Sequence, residues 1–157
     1  MEKDKSIHVL NALIIINNDR IEGYETASKE TDEQDLKALF DHFSETSRKC
    51  KEELEKEVKN LDGTIAEGTK TTGKFFRVWM DAKAALTGKD RKAILNSCEF
   101  GEDKAVGTYK KALADHDSVL TAQQQILVKK QLALIKADHD KVKSLRDSLV
   151  EVAYFYF

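Results

Sequence analysis

The sequence predicts an all-α fold, a four-helix bundle made of two antiparallel helical hairpins joined by a long crossover that contains a short helix. Three observations predict it. The 157 residues include no proline and only seven glycines, so little in the chain interrupts a helix. Apolar residues recur at spacings of three and four through four long segments. The turns inside the first and second halves are short, whereas the connection between the halves is long.

The first helix, over roughly residues 5–30, places Leu10, Leu13, Ile14, Ile21 and Tyr24 on one face, and Asn17 completes that stripe. The second follows Asp32, read as its N-cap, and carries Leu36, Leu39, Phe40, Phe43, Cys50, Leu54, Val58 and Leu61 until Asp62-Gly63 stops it. Ser47 falls in the gap of that row. The third opens near Asp90 and reads Ile94, Leu95, Cys98, Ala105, Tyr109 and Ala112, with Glu102 in the remaining position. The fourth starts near Thr121 and runs Val128, Leu132, Ile135, Val142, Leu145 and Leu149, with His139 between Ile135 and Val142. Each long helix therefore carries one polar residue on its apolar face.

The crossover, about 28 residues spanning roughly 62–89, is too long to be structureless in a compact domain. Phe75, Phe76, Trp79, Ala82 and Leu86 have helical spacing and end at Gly88, which predicts a short helix laid across the bundle. A shift of 85 residues superimposes Leu10-Asn11 on Leu95-Asn96, Ile21 on Val106, Tyr24 on Tyr109 and Ala27 on Ala112. The same shift sets Asn17 on Glu102. The two hairpins thus read as an internal repeat, and residues 1–157 as one domain.

Composition narrows the functional classes. There are 26 basic and 28 acidic residues, a net charge of −2, and no basic stripe, so nucleic acid is not an expected partner. The longest apolar runs, Ala12–Ile16 and Val152–Phe157, are too short to cross a membrane, and no cleavable apolar leader follows Met1. A cytoplasmic protein is expected. Cys50 and Cys98 lie far apart on apolar stripes and are read as unbridged packing residues. No phosphate loop, Cys-x-x-Cys or nucleophile elbow is present, so no catalytic residue is assigned and no cofactor is expected.

The four polar intrusions, Asn17, Ser47, Glu102 and His139, together with Tyr24 and Tyr109, predict a buried polar layer that is the candidate binding site. At the C-terminal end, residues 150–157, Tyr154, Phe155, Tyr156 and Phe157 surround the last turn with aromatic groups that one face cannot bury. These are the interface candidates for self-association into a homo-oligomer.

The spacings Asn17 to Tyr24 and Glu102 to Tyr109 resemble the ferritin-like superfamily, and within it rubrerythrin-type bundles, in which a glutamate is followed seven positions later by an aromatic residue. Glu22-Gly23-Tyr24, the run Trp79 to Gly88, Cys98-Glu99 with Gly101-Glu102-Asp103, and His139-Asp140 ahead of Leu145-Arg146-Asp147 resemble a bacterial four-helix-bundle family of that superfamily whose function is unassigned. The resemblance covers nearly the whole chain. It implies the bundle topology, and a dinuclear metal centre supplied by glutamates and Glu-x-x-His pairs. No Glu-x-x-His occurs here, because Lys5, Leu39, Leu113 and Lys136 stand three residues before the four histidines. On that mapping Asn17 replaces the first-helix glutamate, Ser47 and Cys50 replace the second-helix pair, and Lys136 stands beside His139 in the fourth helix. Glu102 and His139 remain.

Three functions are consistent with this pattern. The first is a non-catalytic bundle that works by binding or assembly around a degraded metal site. The second is a diverged metal-binding or oxidoreductase protein using Glu102 and His139. The third is a small-ligand carrier with its pocket near Trp79.

Overall fold

Without proline, and with apolar side chains recurring once per turn, the described residues wind into four long helices: α1 (Glu2–Glu30), α2 (Gln34–Asn60), α3 (Arg91–Asp115) and α4 (Ala122–Phe155). The computed structural model describes residues 2–68, 91–115 and 119–155, with side chains over 3–68, 91–114 and 119–149. The short helix expected around Trp79 lies outside the described residues, as do the side chains of Tyr154, Phe155, Tyr156 and Phe157. Among the described residues there is no strand, and no helix is long and apolar enough to cross a membrane.

α1 packs mainly on α2 and α3 on α4, forming the two expected hairpins, while α1 also meets α3 and α2 meets α4. Side-chain bonds give the directions. Ser28 pairs with Asp41 and Arg20 with Ser47, so α1 and α2 are antiparallel. Asn17 pairs with Tyr109 and Tyr24 with Glu102, which makes α1 and α3 antiparallel as well. α2 and α3 therefore lie diagonally and run the same way. Arg91, at the start of α3, accordingly reaches Glu33 and Asp35 at the start of α2. A connection between parallel helices has to return the chain along the bundle, and its first residues begin to do so. The Asn11 side chain donates to the Thr64 carbonyl and accepts from the Ala66 amide, both at 2.9 Å, and one helical stretch later Asn18 holds the Gly68 carbonyl.

The helix ends show which local signals matter. α2 opens at Glu33 with no side-chain cap, one residue after the expected Asp32; Thr31 Oγ1 instead accepts from the Glu33 amide. Its other end is a Schellman turn, in which the Gly63 amide bonds Val58 O and the Asp62 amide bonds Lys59 O. Asp62 takes the left-handed position at φ 57°, where aspartate is better tolerated than most residues. Gly63 is then required by crowding, since a Cβ there would come within 2.8 Å of the Ile7 side chain. α4 opens with a capping box: Thr121 Oγ1 accepts from the Gln124 amide at 3.1 Å while Gln124 Oε1 accepts from the Thr121 amide at 3.0 Å.

The apolar core is in two parts. One cluster gathers Leu10, Leu13, Ile14, Leu54, Val58, Val128 and Ile135; the other gathers Leu36, Phe40, Phe43, Leu95, Cys98 and Val142. Phe40 and Phe43 flank Tyr24 with ring centroids 5.7 and 5.1 Å away, anchoring the second cluster. Truncating Phe40 to alanine is expected to lower unfolding free energy by about 3–5 kcal/mol. Ile126→Ala, at a residue that is two-thirds exposed, should change it by less than about 0.5 kcal/mol. Urea denaturation followed by circular dichroism measures both.

Candidate functional site

Between the two apolar clusters the inner faces of all four helices become polar, and the centre of that layer is an arginine. Arg20 stands three residues after Asn17 and four before Tyr24, so helical geometry puts it on the same face of α1. The sequence pattern assigned that place to Ile21. In the structure Arg20 is 1 % exposed and Ile21 is only partly buried. Periodicity alone cannot separate the two positions, and an unpaired cation is normally placed outside. What turns Arg20 inward is its set of partners on the other three helices.

Arg20 Nη1 donates to Ser47 Oγ on α2 at 2.5 Å. Nη2 donates to Glu102 Oε1 on α3 at 2.7 Å and to Asp138 Oδ2 on α4 at 3.0 Å. Tyr24 donates to the same Glu102 oxygen at 2.6 Å, and its ring lies 5.6 Å from the guanidinium carbon. A neutral layer adjoins this charged one. Asn17 Nδ2 donates to Tyr109 Oη at 2.8 Å, Tyr109 donates to Gln131 Oε1 at 2.7 Å, and Gln131 Nε2 donates to the Cys50 carbonyl at 3.1 Å. The bonds Tyr24–Glu102 and Tyr109–Asn17 exchange places under the 85-residue shift, so the internal repeat appears as a reciprocal contact between α1 and α3.

Of the residues expected in the layer, Asn17, Ser47, Glu102, Tyr24 and Tyr109 are buried and connected in this way. His139 is not among them. Asp138 fills the inward position, three residues after Ile135 and four before Val142, a spacing that fits the stripe as well as that of its neighbour. His139 instead lies at the α3–α4 seam, its Nε2 2.6 Å from Asp103 Oδ1 and its Nδ1 3.1 Å from Asp140 Oδ1. Glu102 and His139 thus serve different networks. Lys136, placed beside the site from sequence, is exposed; the cation that occupies the centre is Arg20. Sequence reasoning also missed Gln131, whose only signal was its place four residues before Ile135.

The family described as a domain of unknown function (DUF2383) matches residues 5–115. The chain belongs to that family. No curated protein matches it significantly. The DUF2383 match takes in Asn17, Arg20, Tyr24, Ser47, Glu102 and Tyr109, whereas Gln131, Asp138 and His139 come from α4 beyond it.

In this DUF2383 chain the buried layer carries one cation and two acids. Burial opposes charge on Arg20, but Glu102, Tyr24 and Asp138 outweigh it and hold the guanidinium even more firmly protonated than usual. Burial, reinforced by Glu102, pushes the Tyr24 hydroxyl well up, so it remains a donor, and burial does the same for Tyr109. Asp138 is raised above the ordinary carboxyl range, first by burial and then by Glu102, against the opposing pull of Arg20. Exposed His42 approaches its other oxygen at 3.4 Å, linking the layer to the surface. Burial also keeps both free cysteines protonated, Cys50 at about 11 and Cys98 at about 12, which fits packing residues better than nucleophiles.

Arg20→Met leaves two buried carboxylates without their cation, and is expected to cost about 3–5 kcal/mol at neutral pH. Adding Glu102→Gln and Asp138→Asn to that variant should recover most of the loss, because the uncompensated charges are gone; chemical denaturation of the single and triple variants tests this.

The Asp138 shift has a definite sign. Between its ordinary and its raised value the folded state binds the extra proton and the unfolded state does not, so this group's contribution to stability falls as pH rises through that window. Asp138→Asn should remove that falling component from the wild-type profile of unfolding free energy against pH. Parallel profiles would contradict the assignment.

Proposed function

We propose that this chain is a single-domain, ferritin-like bundle whose core supports itself with an arginine instead of a metal pair, and that it acts as a non-catalytic protein of binding or assembly. The observation that carries this reading is the Arg20 guanidinium lying between Glu102 and Asp138 with Ser47 on its other nitrogen. A dinuclear centre needs carboxylates and imidazoles converging on open space. Here the side chains that converge are Arg20, Ser47, Asn17, Gln131 and two tyrosines with only two acids, and the delocalised cation already binds both acids. A divalent ion brought to that point would meet a fixed positive charge. The residues do not fit a metal pair. The separate partners of Glu102 and His139 leave the oxidoreductase alternative without a shared site.

Incubating the purified protein anaerobically with Fe(II) and then admitting oxygen tests the proposal. No coupled di-iron absorption should develop, and Glu102→Gln should change nothing. A stoichiometric iron pair that Glu102→Gln abolishes would contradict it.

Assembly, on this reading, uses the outer surface and the aromatic C-terminal end, Tyr154 to Phe157, for a homo-oligomer in the cytoplasm. Ending the chain at Glu151 should then lower the subunit number measured by sedimentation equilibrium. A truncated protein that keeps its helicity and its mass in solution would remove that interface.

A further inference from the structure

The seam between α3 and α4 carries chemistry that the buried layer does not use. Glu99 and Asp103 are four residues apart on α3 and share one face of it, and His139 projects to the same place from α4. One ligand atom from each of the three lies within 4.8 Å of the others. We propose that Glu99, Asp103 and His139 form a mononuclear site for a first-row divalent transition-metal ion, separate from the Arg20 centre.

The donor set argues for the metal class. One imidazole nitrogen with two carboxylate oxygens suits Zn²⁺, Co²⁺ or Mn²⁺, whereas Mg²⁺ and Ca²⁺ favour oxygen alone. The imidazole is also held as a ligand requires. Asp140 engages Nδ1 at 3.1 Å, which turns Nε2 toward the two acids; a carboxylate behind a histidine is the usual outer support of a metal-binding ring. Burial is graded across the site, with the side chains of Glu99 and His139 14 % and 17 % exposed and that of Asp103 58 % exposed. Two ligands are therefore supported by the bundle, and the solvent side is open for water to complete the coordination.

Tetrahedral coordination at ordinary bond lengths places neighbouring donor atoms about 3.3 Å apart. The His139 Nε2 and Asp103 Oδ1 atoms are now 2.6 Å apart, so the ion enters by swinging the exposed Asp103 side chain outward by less than an ångström or so. Arg146 is the competitor. It is ion-paired with Glu99, but it also reaches Asp147 Oδ1 at 3.1 Å, and that second acid can retain the guanidinium when Glu99 turns to a metal. Both helix segments that supply the site, Cys98 to Asp103 and His139 to Asp147, are motifs that stood out in the sequence and that the central layer leaves largely unexplained.

Titrating the full-length protein with Co²⁺ and Zn²⁺, by visible absorption and calorimetry respectively, tests the site. One equivalent of each ion should bind, with Co²⁺ giving the d–d spectrum of a nitrogen–oxygen site. His139→Asn and Asp103→Asn should each weaken binding by at least about tenfold, and Asp140→Asn by about tenfold through loss of the ring's support. Arg146→Gln should tighten it severalfold. His8→Asn, which alters an exposed histidine on α1, should leave it unchanged. Circular dichroism of each variant confirms that the bundle is folded. Absence of binding to the wild-type protein, or binding that survives His139→Asn in folded protein, would overturn the proposal.

Discussion

Arg20 hydrogen-bonds a side chain on each of the other three long helices and carries the charge of the layer, and the architecture is organised around that fact. Its nitrogens reach Ser47, Glu102 and Asp138 at the same level of the bundle, so each helix has one axial position at which the contacts can form. Slipping any helix by one residue would rotate its partner off the axis and strand a charge in the apolar core. A buried ion cluster of this kind adds little net stability compared with apolar packing. In our reading its contribution is to select one register from the several that generic apolar stripes would accept.

The apolar residues then do the bulk work on either side. Leu10 to Ile14 with Leu54 and Val58 fill one half, and Phe40, Phe43 and Leu95 fill the other. The polar layer between them is built on a repeated pattern that has been made unequal. Tyr24 and Tyr109 are equivalent in the repeat, yet one donates to the carboxylate of Glu102 and the other accepts from the amide of Asn17. That inequality places the charge on one side of the layer, where Arg20 meets it. Had both positions been acidic, one guanidinium could not have balanced the layer and Asp138 as well.

Much of this was legible in the sequence because helical periodicity is strong in long, proline-free segments. The four helices, both hairpins, the stop at Asp62-Gly63 and the burial of Asn17, Ser47, Glu102, Tyr24 and Tyr109 all follow from positions on a repeating stripe. The errors share one cause. A stripe is wide enough for two adjacent residues, and hydrophobicity decides between them, so Ile21 was preferred to Arg20. On α4 the stripe reading takes His139, although Asp138 fits the gap between Ile135 and Val142 equally well. Each choice is reasonable taken singly. Only the two inward charges together are favourable, and a single-helix pattern contains no information on a partner supplied by another helix.

The distinction between centre and seam has functional weight. At the centre a cation is already paired with both acids, whereas at the seam His139 presents a nitrogen beside Glu99 and Asp103 near solvent. The measurement that addresses the central claim most directly is NMR of ¹⁵N-labelled arginine side chains. If Arg20 is locked between Glu102, Asp138 and Ser47, its Nη protons will give separate, slowly rotating signals that exchange with solvent only when the whole protein unfolds. Averaged signals that exchange as fast as those of exposed Arg48 would show that the guanidinium is not fixed among the four helices and cannot set their register.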